Sequence, residues 1–407
     1  MKHLFTMAYR DLARNKRRSL LSALALGMGL ALLLLMAAVV RGEMKDSIES
    51  NIRLETGHMQ IRAESYNEDK NSLEWKDLIE KPENIISKLA SQPEVVQATP
   101  RILASGIINT IDDSVGVKII GMDPASSVNA PFQNGMLSGQ YLQADDRDQM
   151  IIGSDLAKKY KLQVGSSIQL LANTAEGDVN EQTFTVKGIF STKVTAFDQS
   201  TILLPLAKAQ AMTGTENHAS VIMILLKDRE MADPLKARIQ TSQYQVKTWL
   251  ELNQFTMSFE SYANSYMYLL YMIVLAVTAT VIVNTLVMAV FERTREIGIL
   301  SAVGMRSSSI MNMFLIESGL LAILGILMGI VIGSGLVLYA NKVGFYIGNM
   351  GITGMMLGER IYGYMTLVDA IPLIIIALVV TLAASLYPAI LAARMEPIEA
   401  LHGGKVS

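Results

Sequence analysis

Charged residues thin out four times along the chain, and each gap is long enough to cross a bilayer. Residues 20–40 form a run of 21 without a charge, and about 20 residues at helical rise match the hydrocarbon thickness. Apolar runs follow at about 266–290, at about 310–340 with Glu317 as the only charge, and at about 371–393. The pattern predicts four transmembrane helices. The first run exceeds the apolar core of a secretory signal and no small-x-small cleavage site closes it, so it is expected to remain as an anchor.

Between the first and second runs the pattern shortens. Strand-like stretches fall at 58–62, 102–111, 117–121, 167–171, 182–189, 201–204 and 221–226, with helical stretches at 84–90, 153–160 and 206–212. Alternating strands and helices over about 220 residues predict a large α+β domain with its own core, inserted between helices one and two. Residues 64–83 hold ten charges and few aliphatics, which predicts a mobile excursion or soluble edge.

Composition agrees with a membrane protein that has a substantial soluble part: 407 residues, 51% hydrophobic, 18% charged, 25 Met and no Cys. Without cysteine there is neither a disulfide framework nor a thiolate metal site. Charge distribution predicts orientation, because Lys and Arg in short loops resist translocation. Lys2, Arg10, Arg14, Lys16, Arg17 and Arg18 precede helix one, Arg293, Arg295 and Arg306 lie between helices two and three, and Arg394 and Lys405 follow helix four. Both termini are therefore expected in the cytoplasm and the inserted domain, with 21 basic and 29 acidic residues over 42–263, outside. The basic cluster beside helix one serves orientation and contact with lipid headgroups, and nothing points to nucleic acid. The expected layout is 1–18 amphipathic N-terminal helix, 19–41 helix one, 42–263 extracytoplasmic domain, 264–291 helix two, 292–308 cytoplasmic connecting helix, 309–340 helix three, 341–367 short outer loop, 368–393 helix four and 394–407 cytoplasmic tail.

Catalytic chemistry is not legible. His3, His58, His218 and His402 are far apart with no metal-ligand spacing, and the carboxylates Asp112, Asp113, Asp145, Asp146 and Asp148 sit in turn-like surroundings that predict solvated turns. The closing "HGGKVS" only superficially matches a phosphate loop, since residue 399 is Glu and Lys405 precedes Val406. The expectation is no catalytic site, no metal and no cofactor on this chain.

The stretch "FERTREIGILSAVGMRSSSI" between helices two and three places Glu292, Arg293, Arg295 and Glu296 ahead of Ile297, Leu300 and Val303, which share one helical face. Gly304 ends the segment, and Ser307 to Ser309 are expected to cap helix three. Two readings stay open: an interfacial helix that merely connects two spans, or a lever whose groups dock on a cytoplasmic partner.

These residues carry a resemblance. "ERTREIGILSAVGMRSSSI", "YRDLARNKRRSLLS" and "YPAILAARMEPIEALH" resemble signature segments of the FtsX/MacB-like permease family of ABC transporters. Within the inserted domain "VGVKIIGMDP", "DQMIIGSDLAKKYKLQVGSSIQLL", "FTVKGIF" and "ILLPLAKAQAM" are similar to landmarks of that family's outer domain. The resemblance covers nearly the whole chain and is closest in layout to the lipoprotein-releasing, Lol-type permeases. It implies a permease subunit in the bacterial inner membrane, without a nucleotide site of its own, that transmits ATP-driven motion to extract or export lipoproteins or other hydrophobic cargo. It also implies partners: two copies of an ABC ATPase carrying ATP and Mg, a second permease subunit of the same or a homologous chain, membrane lipids, and a periplasmic acceptor or fusion protein. The ATPase-coupling role falls by resemblance on Glu292, Arg293, Thr294, Arg295, Glu296, Ile297, Gly298, Leu300 and Gly304. The rivals are MacB-like efflux through a membrane-fusion protein and FtsX-like regulation of an envelope hydrolase without transport.

The spans add two expectations. Gly325, Gly329 and Gly333 in helix three form a small-xxx-small face expected to pack on helix four, and helix one carries Ala23, Gly27 and Ala31 at the same spacing. Asn284 and Glu317 are polar groups that lipid penalises, so both are expected to face protein or a cavity, with Glu317 hydrogen-bonding across helices.

Overall fold

A computed structural model describes residues 2–14, 16–67, 73–110, 113–348, 356 and 358–395. Asp112 and the tail from residue 396, with His402 and Lys405, lie outside the described residues. The chain divides into two compact units: Met44–Phe259 with Tyr346–Arg360, and Met1–Glu43 with Glu260–Phe345 and Ile361–Ser407.

The first of these is built on strands β1 (Met59–Ala63), β2 (Ile79–Glu80), β3 (Val95–Asn109), β4 (Ser114–Met122), β5 (Met136–Gly139), β6 (Gln149–Gly153), β7 (Ser167–Asn173), β8 (Val179–Phe190), β9 (Thr201–Pro205), β10 (His218–Ala219), β11 (Val221–Leu226) and β12 (Tyr244–Thr248). Ten of them form one sheet in the order β12-β1-β11-β3-β4-β9-β6-β8-β5, with β7 pairing β3 and β8. The β4–β9 and β6–β8 pairs are parallel and the rest antiparallel. Neighbouring residues such as Ile119 and Ile120, or Ile202 and Leu203, point to opposite faces, yet all four are buried. Ile119 and Ile202 join a core with Ile152, Ile168 and Phe184, while Ile120 and Leu203 join Phe132, Phe190 and Phe197. Both faces of the sheet are thus covered, which is why these strands read as continuous apolar runs rather than as alternation.

Two expectations about this unit are corrected. The described part of 64–83 is not a loose excursion: Leu73, Leu78 and Ile79 are buried, and β2 pairs with β10. The acidic turns are not all solvated either. Asp146 accepts from Lys187 Nζ at 2.7 Å with both side chains at most a tenth exposed, whereas Asp113, Asp145 and Asp148 are exposed as expected. His58 accepts the Leu226 N–H at 3.0 Å and His218 lies edge-on to Trp75, so both are structural. Buried Asp198 accepts from Thr192 N, Thr192 Oγ1 and Ser191 Oγ, and burial raises its pKa above the usual carboxylate value. It fastens the 191–198 turn.

The second unit holds the N-terminal helix Lys2–Arg14, the short helix Thr294–Ala302 and most of four long helices: helix one Lys16–Asn51, helix two Gln254–Glu292, helix three Ser307–Val343 and helix four Leu367–Ala393. Each long helix has length and apolar composition sufficient to cross a membrane. Helices one and two run beyond the apolar stretches, to 36 and 39 residues, about 54 and 58 Å at 1.5 Å per residue. Beyond residue 41 the sequence turns polar but keeps a helical period, with Met44, Ser47 and Ile48 buried and Lys45 near Glu49 at 3.9 Å.

The glycine stripe of helix three packs on helix one rather than on helix four. A Cβ on Gly27 would lie 2.9 Å from Gly325 O and 3.1 Å from Gly329 N, and one on Gly333 would lie 3.1 Å from Ala31 Cα. Helix four meets a different face of helix three, where Ser318 and Ser385 hydroxyls bond at 2.9 Å. At the other end of helix one, Arg41 pairs with Asp369 at 2.8 Å, and the same carboxylate caps helix four through Thr366.

Candidate functional site

Helix two breaks at Arg293, whose φ of −107° and ψ of 14° leave the helical region before Thr294 starts the short helix. The break residue is also the anchored one. Its guanidinium, with a side chain only 4% exposed, pairs with Asp11 Oδ2 of the N-terminal helix at 3.0 Å and with Glu317 Oε2 of helix three at 3.3 Å. Ile297 and Gly298 face inward, and Ile297 clusters with Val290, Ile310, Phe314 and Ala389. The short helix closes on Gly304 at φ +96°, with Met305 N donating to Leu300 O at 3.0 Å, a turn glycine makes at no steric cost. Helix three starts with Arg306 in extended backbone and no side-chain cap, so the expected serine caps are not used.

The motif charges divide into two sets. Glu296 pairs with Arg14 at 2.9 Å and Glu292 with Arg18, so both acidic groups are engaged within the chain. The Arg14–Glu296 pair is about half exposed on both sides, and such pairs are worth about 0–1 kcal/mol. The Arg293–Glu317 pair has side chains 4% and 3% exposed, and removing one member of a buried pair costs about 3–5 kcal/mol because the other charge is stranded. Of the two pairs, the buried one is therefore the costlier to break.

Facing out are Arg295, Ile299, Val303 and Arg306, with Ile299 48% and Val303 83% exposed. This corrects the expected apolar face: Ile297 is buried and Leu300 partly buried, but Val303 belongs to the opposite side with Ile299. Thr294 Oγ1 donates to Phe291 O at 2.8 Å and closes the bend. A cavity of about 700 Å³ lies between the N-terminal helix, the short helix and the base of helix three, lined among others by Met7, Arg10, Leu300, Met313 and Phe314. The sequence reading missed Asp11 and Ile299. The usable signal was Asp11, Arg14 and Arg18 at near-helical spacing, opposite in sign to Arg293, Glu296 and Glu292.

Of the two intramembrane polar groups, Glu317 is buried against Arg293, whereas Asn284 is exposed on helix two. It sits among exposed Val277, Val281, Met288 and Phe291. The steps 277, 281, 284, 288 and 291 alternate four and three residues, the spacing that left-handed helix pairs use.

Residues 19–242 match the family model of the MacB-like periplasmic core domain and residues 268–397 that of the FtsX-like permease C-terminal region. The chain is 23% identical over 412 residues to the lipoprotein-releasing system transmembrane protein LolC of Neisseria meningitidis, covering 94% of both chains. It is 22% identical over 394 residues to LolE of Haemophilus influenzae, covering 93% of both. Against the macrolide export ATP-binding/permease protein MacB of Neisseria gonorrhoeae it is 24% identical over 353 residues, 83% of this chain and 53% of MacB.

Proposed function

The chain belongs to the ABC-transporter permease family that joins a MacB-like periplasmic core domain to an FtsX-like permease region, and from that premise we propose that it is the permease subunit of a lipoprotein-releasing transporter. In this reading the protein lies in the bacterial inner membrane with both termini and the short helix in the cytoplasm. A separate ABC ATPase, holding ATP and Mg, grips the short helix, and helices one and two carry the movement to the outer domain. The observation that carries the reading is the likeness to LolC over 94% of LolC's own length, while the match to MacB covers 53% of that protein. The likeness to LolC also takes in more of this chain, 94% against 83% for MacB, which favours lipoprotein release over MacB-like efflux.

The physics suits such cargo. Each buried methylene resists withdrawal by about 0.8 kcal/mol, so an acyl chain of about 15 methylenes resists by roughly 12 kcal/mol. Extraction then needs external work. Co-expression with a candidate ABC ATPase, purification of the complex and reconstitution in liposomes should give ATP-dependent release of an acylated lipoprotein. Retention of the lipoprotein in the bilayer under steady ATP hydrolysis would refute the assignment.

The exposed seam on helix two supports a second permease subunit as its occupant. An exposed carboxamide in a bilayer span lacks the partners that water would give it. The chain has no native cysteine, so Asn284→Cys introduces a lone thiol. Mild oxidation of this variant in membranes is expected to yield a cross-linked dimer, while Val331→Cys, on an exposed position of helix three, stays monomeric. If the partner is a homologous chain, the cross-link forms only when that chain carries the matching cysteine; absence of both products counts against the seam.

A further inference from the structure

One buried guanidinium touches carboxylates on two other elements. Arg293 is the residue at which helix two ends and the short helix begins. From there its side chain reaches Asp11 at 3.0 Å and Glu317 at 3.3 Å, and its Nη2 also donates to the Asp11 carbonyl at 3.4 Å. Arginine suits the position because its planar fork can serve two acceptors at once, which an ammonium on a flexible stem does less well. The Asp11 carboxylate is one-fifth exposed and Glu317 is 3% exposed, so the two contacts differ in kind. Water can replace the first. It cannot replace the second.

We propose that Glu317 is a positioning residue that couples the short helix to helix three, so that displacement of the short helix reaches helix three through the Glu317–Arg293 pair. This rests on the permease reading for what moves the short helix, but not for the link itself. Backbone continuity alone gives a looser connection, because the turn from Val303 to Arg306 contains Gly304 at positive φ and no side-chain cap. Among the described residues the short helix also makes the exposed Arg14–Glu296 pair and packs Ile297 against Ile310 and Phe314 of helix three. Neither joins a charge to helix three.

Two readouts test the link. In the full chain, a spin label on Val303→Cys reports motion of the short helix, and one on Val331→Cys reports helix three. Glu317→Gln is expected to increase mobility at 303 several-fold and leave 331 unchanged. In the complex, Glu317→Gln is expected to keep ATP hydrolysis within about twofold of the parent while ATP-driven cargo release falls at least tenfold. A simple loss of folding would lower both rates together and mobilise both labels. Glu317→Asp, which keeps the carboxylate opposite Arg293 and leaves Asp11 paired, should retain part of the release. An unchanged label at 303 together with unchanged release in Glu317→Gln would overturn the proposal. Loss of ATPase binding from the parent protein itself would instead refute the permease reading, leaving the spin-label result to decide the link.

Discussion

Replacing Gly27 with leucine is expected to abolish the folded helix bundle. The new Cβ alone would stand 2.9 Å from Gly325 O and 3.1 Å from Gly329 N, both backbone atoms of helix three. Neither can turn aside as a side chain could. Ordinary overpacking costs about 1–3 kcal/mol because neighbours rearrange; here the helices must separate, and the loss is expected to exceed about 4 kcal/mol. Gly329→Leu meets the same obstacle, since its Cβ would lie 2.9 Å from Gly27 O. The control is Gly335→Leu in the same helix, where nothing lies within 4 Å and stability should hold or rise by up to about 1 kcal/mol as the helix loses a glycine. Thermal unfolding in detergent and yield of monodisperse protein measure all three. A Gly27→Leu protein as stable as the Gly335→Leu protein would mean that helices one and three do not meet along this stripe.

The stripe also marks how far sequence reading reaches. Spacing of Gly325, Gly329 and Gly333 says that some backbone comes close, and it does. It does not say whose. Helix one offers Ala23 and Gly27 with a matching step, and helix four has buried Ala377, Thr381, Ser385 and Ala389 at steps of four. Helix three serves both, with the glycine face toward helix one and Ser318 toward Ser385. The choice depends on which residues of helix one, Leu26, Leu30 and Leu34, fill the grooves beside the glycines, and that is a property of two surfaces rather than of one.

In the unit built on the large sheet the strands were legible wherever apolar residues stood together, as in β9 and β11. β3 was read from residue 102 but starts at Val95, because Thr99, Pro100 and Arg101 look like a turn. Arg101 is instead fully buried, donating to Leu54 O at 2.7 Å and Asn129 Oδ1 at 2.5 Å. Burial brings its pKa down to about 10, so it stays charged at neutral pH. Its two acceptors are 47 and 28 residues away, and no local pattern announces them. The short helix shows the same limit. Its existence, its glycine stop and the inward Ile297 follow from the sequence, but the destinations of Glu292 and Glu296 are on two helices, 274 and 282 residues earlier.

That destination moves the expected docking surface. If the charged edge gripped the ATPase, replacing Glu292 and Glu296 by alanine would destroy the complex; because both already pair with Arg18 and Arg14, the loss should instead be small, on the order of 1 kcal/mol per exposed pair or less. The side left free is Ile299 and Val303, one turn apart and flanked by Arg295 and Arg306. An exposed apolar pair rimmed by guanidinium groups has the composition of an interface centre. Truncating such anchors costs about 2 kcal/mol each, and a carboxylate placed there adds the cost of burying an unpaired charge. Ile299→Glu with Val303→Glu is therefore expected to weaken ATPase association at least a hundredfold, about 2.7 kcal/mol, while the folded permease persists because neither side chain is buried in it. Co-purification and ATP hydrolysis of the complex provide the comparison. Should the double glutamate variant hold its ATPase normally while the Glu292→Ala, Glu296→Ala protein loses it, the charged edge is the dock, and the pairs with Arg14 and Arg18 must open when the partner binds.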